Sequence, residues 1–97
     1  MERTSSHDGD VRRRLSEIYA QLVAARRELE IVEEQLLVFN DTEDDARVRS
    51  LVSESPLADH EWREAKRHAE AMLRGREAAR ARVAELERAQ DELLSKL

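Results

Sequence analysis

The feature that most constrains this chain is a run of apolar residues spaced alternately four and three positions apart between residues 11 and 39. This spacing places every member on one line along an α-helix and indicates that another helix packs against that line. We therefore expect a helix at about 11–39, capped by Asp8 or Asp10 and preceded by a disordered leader at 1–9. The run comprises Val11, Leu15, Ile18, Leu22, Ala25, Leu29, Val32, Leu36 and Phe39.

A second heptad run occupies the C-terminal part of the chain. It follows Ser55-Pro56, which is typical of a helix start because serine is a good N-cap and proline suits the first helical position. Only Gly75 weakens the helix that we expect at 56–97, at a cost of about 1 kcal/mol relative to alanine. The run comprises Trp62, Ala65, Ala69, Met72, Arg76, Ala79, Val83, Leu86, Gln90, Leu93 and Leu97.

The segment between the two runs has two interpretations. Asn40-Asp41-Thr42 favours a break, with Asp41 or Thr42 capping a short connecting helix at 42–53. In that arrangement the apolar residues of the short helix, Val48, Leu51 and Val52, cover Leu37 and Val38. The alternative is one continuous helix with a stutter, because no glycine or proline interrupts the segment. In either case Val48, Leu51 and Val52 do not continue the first heptad, which would instead place Glu43, Ala46 and Ser50 in the seam.

The distribution of charge favours an antiparallel arrangement of the two long helices. Residues 28–45 contain eight acidic residues and no basic one, whereas seven basic and three acidic residues fall at 63–82. Antiparallel pairing brings these oppositely charged stretches together. We therefore predict an all-α fold: a single coiled-coil type antiparallel helical hairpin at 10–97, with a short connecting helix and assembly into a helical bundle.

The predicted helix lengths do not match, and this suggests an interface. If Phe39 faces Leu57, then Val11 faces about Glu85, and residues 86–97 extend beyond the first helix. Bare apolar surface usually marks a binding site, so we predict self-association there, with an antiparallel dimer favoured. The predicted partner-binding residues are Leu86, Leu93, Leu94 and Leu97.

Three residues of the second run have two readings each. Trp62 either packs against Leu36 and Phe39 or anchors a protein partner. Arg76 and Gln90 either set the helix register as polar seam residues or face solvent.

The composition excludes several classes of protein. Charged residues make up 40% of the chain, the net charge is −5 and there is no cysteine. The sequence has no basic stripe for direct nucleic-acid binding, no segment apolar enough to cross a membrane and no signal peptide. We therefore expect a cytoplasmic protein without disulfides. The fifteen arginines against two lysines hint at a bacterial, GC-rich coding bias.

Few residues suggest chemistry. His60, Glu64 and His68 share one helix face and have the ligand types of a zinc site, but we favour a solvated polar face. No nucleophile grouping or phosphate-binding loop is present, so we expect neither an enzyme nor a cofactor. The acidic segment Asp41, Glu43, Asp44 and Asp45 is predicted at the hairpin tip. It either stabilises the first turn of the connecting helix or has a binding role, in which it holds a Mg²⁺ ion with a partner or docks on a basic cleft.

One resemblance bears on that acidic segment. The stretch from Leu57 to Ala65, followed by an arginine-rich helix that ends at Ala84-Glu85-Leu86-Glu87-Arg88-Ala89, is similar to the descending helix of bacterial Gre-type transcript-cleavage hairpins. The resemblance implies an acidic tip inserted into RNA polymerase. Asp59 matches one of the family's paired tip acids, but Pro56 occupies the place of the other.

The predicted function is therefore that of a non-catalytic adaptor or regulator acting through helix–helix contacts with itself and a protein partner. The alternatives are a Gre-like transcription regulator and an anti-sigma-type antagonist.

Overall fold

The computed structural model describes the backbone of residues 2–97 and the side chains of residues 7–97. It contains two helices, α1 (Glu2–Ser53) and α2 (Pro56–Leu94), joined by a two-residue turn. They form an antiparallel hairpin about 77 Å long and 14 Å across. The all-α hairpin predicted from the two heptad runs is confirmed.

The predicted break after Phe39 is wrong, because α1 passes through Asn40-Asp41-Thr42 without interruption. The heptad of the first run continues across this segment without a stutter, and it places Ala46 and Ser50 in the buried seam. Thr42 does not cap a new helix. Its hydroxyl instead donates to the carbonyl of Val38 at 3.0 Å, which satisfies the side chain inside the helix. The predicted connecting helix at 42–53 is therefore the C-terminal part of α1.

The outer ends of both helices also differ from the prediction. The structure starts α1 at Glu2, so residues 2–9 of the predicted leader are helical, while Met1 lies outside the described residues. At the other terminus α2 stops at Leu94, three residues short of the predicted end. There the hydroxyl of Ser95 donates to the carbonyl of Glu92 at 2.7 Å, so serine capping competes with further helix.

The second residue of the turn between the helices, Ser55, is the helix start predicted from the sequence. Ser55 is the N-cap of α2 and accepts a hydrogen bond from the amide of Ala58 at 3.1 Å, with Pro56 at the first helical position. Glu54 ends α1 in the left-handed region at φ 50°. Because that conformation reverses the chain within two residues, the hairpin bends at 54–55, and α1 has no bend at Asn40-Asp41-Thr42.

The core is a single seam between α1 and α2. Leu22, Ala25, Val83 and Leu86 form its best-buried cluster, with Ile18 and Leu29 packed against it. Towards the turn the seam consists of small residues, since Ala46 from α1 and Ala58, Ala65 and Ala69 from α2 are its buried members. Both predicted runs face this seam, except that Leu97 lies beyond α2 and is exposed. The helices are thus held by large side chains at the open end and by close approach near the turn.

Three contacts fix the register of the hairpin. The hydroxyl of Ser50 donates to the carboxylate of Asp59 beside the turn. Further along, the ring of Phe39 meets that of His68 edge to face, with centroids 6.0 Å apart. The guanidinium of Arg80 lies 3.8 Å from the carboxylate of Glu33. In this register the acidic stretch 28–45 runs beside the basic stretch 63–80, as predicted from the charges.

Candidate interaction surface

The predicted overhang of α2 does not exist. Leu86 and Leu93 are only 3% and 9% exposed, because α1 continues to Ser53 and its residues 11–22 cover them. Val11 and Leu93 line the same groove, whereas the predicted register placed Val11 opposite Glu85. Leu86 and Leu93 are therefore core residues and cannot contact a partner. Leu94 and Leu97 are exposed, and their partner-binding role stays a prediction.

Trp62 does not reach the position predicted for it. The ring of Phe39 packs against that of His68. Trp62 lies nearer the turn, where it lines a groove of about 460 Å³ with Ser50 and Leu51. The side chain is half-buried, and its indole Nε1 has no hydrogen-bond partner among the described residues. A buried indole N–H usually has a hydrogen-bond partner, and tryptophan is enriched at interfaces. Its role as an anchor is untested.

The acidic segment is not at the tip of the hairpin. Asp41 and Asp45 lie twelve and eight residues before Ser53, the last residue of α1. At 1.5 Å per residue, they are about 18 and 12 Å from the turn. Glu43 is half-buried in the seam, near Ala65 in this register. Asp44 lies 4.0 Å from Arg47 one turn further along.

The hairpin tip carries an exposed apolar surface instead. We define the tip surface as Val48, Leu51, Val52 and Leu57, whose side chains are 53%, 68%, 79% and 66% exposed. Val48, Val52 and Leu57 line one groove of about 440 Å³, and Leu51 lines the neighbouring groove with Trp62. Large apolar side chains gathered in this way are typical of an interaction site.

The prediction missed the tip surface because it folded Val48, Leu51 and Val52 back onto Leu37 and Val38. All five side chains are exposed in the continuous helix. The signal was present in the sequence, since the first heptad extended to Ser50 puts these residues outside the seam. This extension of the heptad requires that two polar residues, Glu43 and Ser50, lie in the seam.

The remaining polar candidates form no metal site in the part of the chain that the structure describes. Nε2 of His60 lies 3.9 Å from the carboxylate of Glu64, while His68 packs against Phe39. Arg76 lies in the seam, half-buried, with its Nε unpartnered among the described residues. Gln90 is also half-buried. Arg76 and Gln90 thus both lie in the seam, which is where residues that set the helix register would have to be.

Among the described side chains, Arg80–Glu33 is the single ion pair between the helices; the other ion pairs link residues of the same helix. The opposite charges of the two stretches therefore act mainly through proximity. Within residues 2–97, neither helix is both long and apolar enough to span a bilayer. No family model matches the chain, and no curated protein or solved structure matches it either.

Proposed function

We propose that this chain is a non-catalytic coiled-coil interaction module, an adaptor or regulator that acts through helix–helix contacts with a protein partner and with itself. The observation that carries the proposal is the tip surface. Leu51, Val52 and Leu57 are among the most exposed large apolar side chains of the molecule, and they sit together where the hairpin presents both helices. A cytoplasmic location in a bacterium is proposed from the composition alone.

The shape of the molecule supports a binding role over catalysis. A rod of two helices about 14 Å across has only its seam as an interior, and side chains fill that seam. Enzymes hold substrates in concave sites that bury most of the ligand. Along the described helices the hollows are grooves open to solvent, which suit a helix or an extended peptide laid against them.

The polymerase-binding alternative is not favoured by the geometry. It needs clustered carboxylates at the tip, and Asp41 and Asp45 are displaced from the turn by about 18 and 12 Å. Near the turn, the carboxylate of Asp59 accepts the hydroxyl of Ser50. The exposed surface that the tip offers is mainly apolar.

The test is a comparison of tip variants in the native cell. Leu51→Glu and Leu57→Glu place a charge on the tip surface, and Leu37→Glu is the matched control because its leucine is as exposed as Leu51. Tagged chains are cross-linked, purified and identified by quantitative mass spectrometry. We expect a protein that the wild type and the control capture equally and that both tip variants lose. Equal capture by all four chains would contradict a tip-mediated function.

A further inference from the structure

A second heptad runs along the outer side of α1, roughly 150° around the helix from the seam. Its positions, from residue 20 to residue 52, alternate in steps of four and three, and all ten side chains are exposed. Four positions carry charge: Arg27, Glu34, Asp41 and Asp45. The six others are apolar: Ala20, Ala24, Ile31, Val38, Val48 and Val52. We call this set the outer stripe. A heptad of this kind indicates a further helix partner.

We infer that the outer stripe pairs with the outer stripe of a second copy of this chain, antiparallel, about a two-fold axis near Leu36. This deepens the proposed function and rests on it, since it names the self-contact of the module. A two-fold interface joins the same patch of both copies, so the patch must complement itself when reversed. The charges of the outer stripe meet this condition.

The position of the axis follows from the charges. The outer stripe alternates between two heptad positions, and in an antiparallel pair each of these positions faces the other one. The numbers of any two facing residues then have the same sum along the whole pair, and this sum can be 65, 72 or 79. A total of 72 sets Arg27 against Asp45, Ala24 against Val48 and Ala20 against Val52. A total of 79 instead sets Glu34 against Asp45, two like charges. A total of 65 sets Ala20 and Ala24 against acidic residues. Only 72 pairs opposite charges and keeps both ends apolar.

A parallel pair is disfavoured by the same residues. It would set Arg27 against Arg27 and Asp45 against Asp45, and like charges across a coiled coil repel. The antiparallel register forms the Arg27–Asp45 contact twice, once on each side of the axis. Neither residue makes an ion pair within the described part of its own hairpin, so both are available. Ile31 faces Asp41 and Val38 faces Glu34 in this register, so we expect a weak dimer with a Kd in roughly the micromolar range.

The test is a charge-exchange cycle followed by sedimentation equilibrium from about 1 to 200 µM. Arg27→Asp and Asp45→Arg each replace two attractions in the dimer by two repulsions, so each should weaken dimerisation roughly tenfold. The double variant restores opposite charges and should regain the wild-type affinity. Arg74→Asp makes the same charge change on α2 and should leave it unaltered. Circular dichroism checks that each variant stays helical.

Two results would overturn the inference. One is a wild-type chain that remains monomeric throughout the concentration series. The other is a dimer that the single exchanges do not weaken or that the double exchange does not restore. Either result leaves the proposed function separately testable. Val48 and Val52 belong to both the tip surface and the outer stripe, but the tip variants are made at Leu51 and Leu57, which lie outside the outer stripe, and their effect is measured on capture of a different protein.

Discussion

The hydroxyl of Ser50 donates a hydrogen bond to the carboxylate of Asp59, joining the last turns of α1 to the first turns of α2. Among residues 7–97, Ser50 is the one polar residue that is fully buried. The bond explains how a serine is accepted there, since a buried hydroxyl is costly unless it is paired. It also fixes the register next to the turn, where the seam is otherwise built from alanine.

Removal of this hydrogen bond should destabilise the hairpin. Ser50→Ala leaves the half-buried carboxylate of Asp59 without its partner, and we expect a loss of about 1 kcal/mol in the free energy of unfolding. Urea denaturation followed by circular dichroism measures it. Ser53→Ala is the control, because Ser53 is exposed and bonds only to the carbonyl of Arg49; it should change stability by less than about 0.5 kcal/mol. Equal effects of the two variants would show that the bond to Asp59 does not matter.

Glycine at the turn should stabilise the hairpin. Glu54 has φ 50°, a conformation that costs a residue with a Cβ about 1 kcal/mol and glycine much less. Glu54→Gly should therefore raise the free energy of unfolding by up to about 1 kcal/mol. Glu61→Gly, inside α2, should lower it by about the same amount. A destabilised Glu54→Gly variant would indicate that the glutamate side chain has a role in the turn.

The two helices were largely predictable from the sequence, and the register was not. The leucines of α1 and the alanines of α2 follow the heptad so regularly that the seam could be read directly. The turn position depended on Asn40-Asp41-Thr42, residues that favour helix caps in isolation. In the folded chain the hydroxyl of Thr42 bonds inside the helix, and the small Ala65 leaves room for the stem of Glu43, which can lie along the seam with its charge outward.

The prediction that Leu86 and Leu93 bind a partner is wrong because the turn was expected too early in the chain. A turn between residues 40 and 55 predicts an α2 longer than α1 and so leaves Leu86 and Leu93 for a partner. Once α1 includes residues 40–53, it runs beside the whole of α2, and those leucines become core. The tip surface then consists of Val48, Leu51 and Val52, which the shorter helix had been expected to bury. The predicted cap after Phe39 is therefore the cause of both errors. It leads to the prediction of buried residues where the tip surface is exposed, and of exposed leucines where α2 is buried against α1.

The alanine part of the seam should not tolerate larger residues. Ala69 is buried between the helices, and Ala69→Leu adds three carbon atoms where the helices approach closely. Overpacking of this kind costs about 1–3 kcal/mol, and a lower melting temperature in circular dichroism would reveal it. Ala71→Leu adds the same atoms to an exposed position of α2 and should leave the melting temperature nearly unchanged. If Ala69→Leu were equally harmless, the seam at Ala69 would have to hold room for a larger side chain, contrary to its burial.

Arg76 should limit the stability of the hairpin. Its Nε is buried without a partner among the described residues, and an unpaired buried polar group costs about 1–3 kcal/mol. Arg76→Met keeps an unbranched stem like the aliphatic part of the arginine and removes the guanidinium with that cost, so we expect a higher free energy of unfolding. Arg74→Met, at an exposed position, is the control. A loss of stability in Arg76→Met would mean that the contact between Arg76 and Glu77 (3.3 Å) outweighs the burial of the guanidinium.

Spin labels on paired cysteines measure the register of the hairpin, and the chain suits them because it has no cysteine of its own. One double variant carries labels at Phe39 and His68, and the other at Phe39 and Leu57. The structure predicts strong dipolar broadening for the Phe39–His68 pair. It places the labels of the Phe39–Leu57 pair about 16 Å further apart along the helix axis. Broadening in the Phe39–Leu57 pair with none in the Phe39–His68 pair would place the turn near residue 40 and contradict the account.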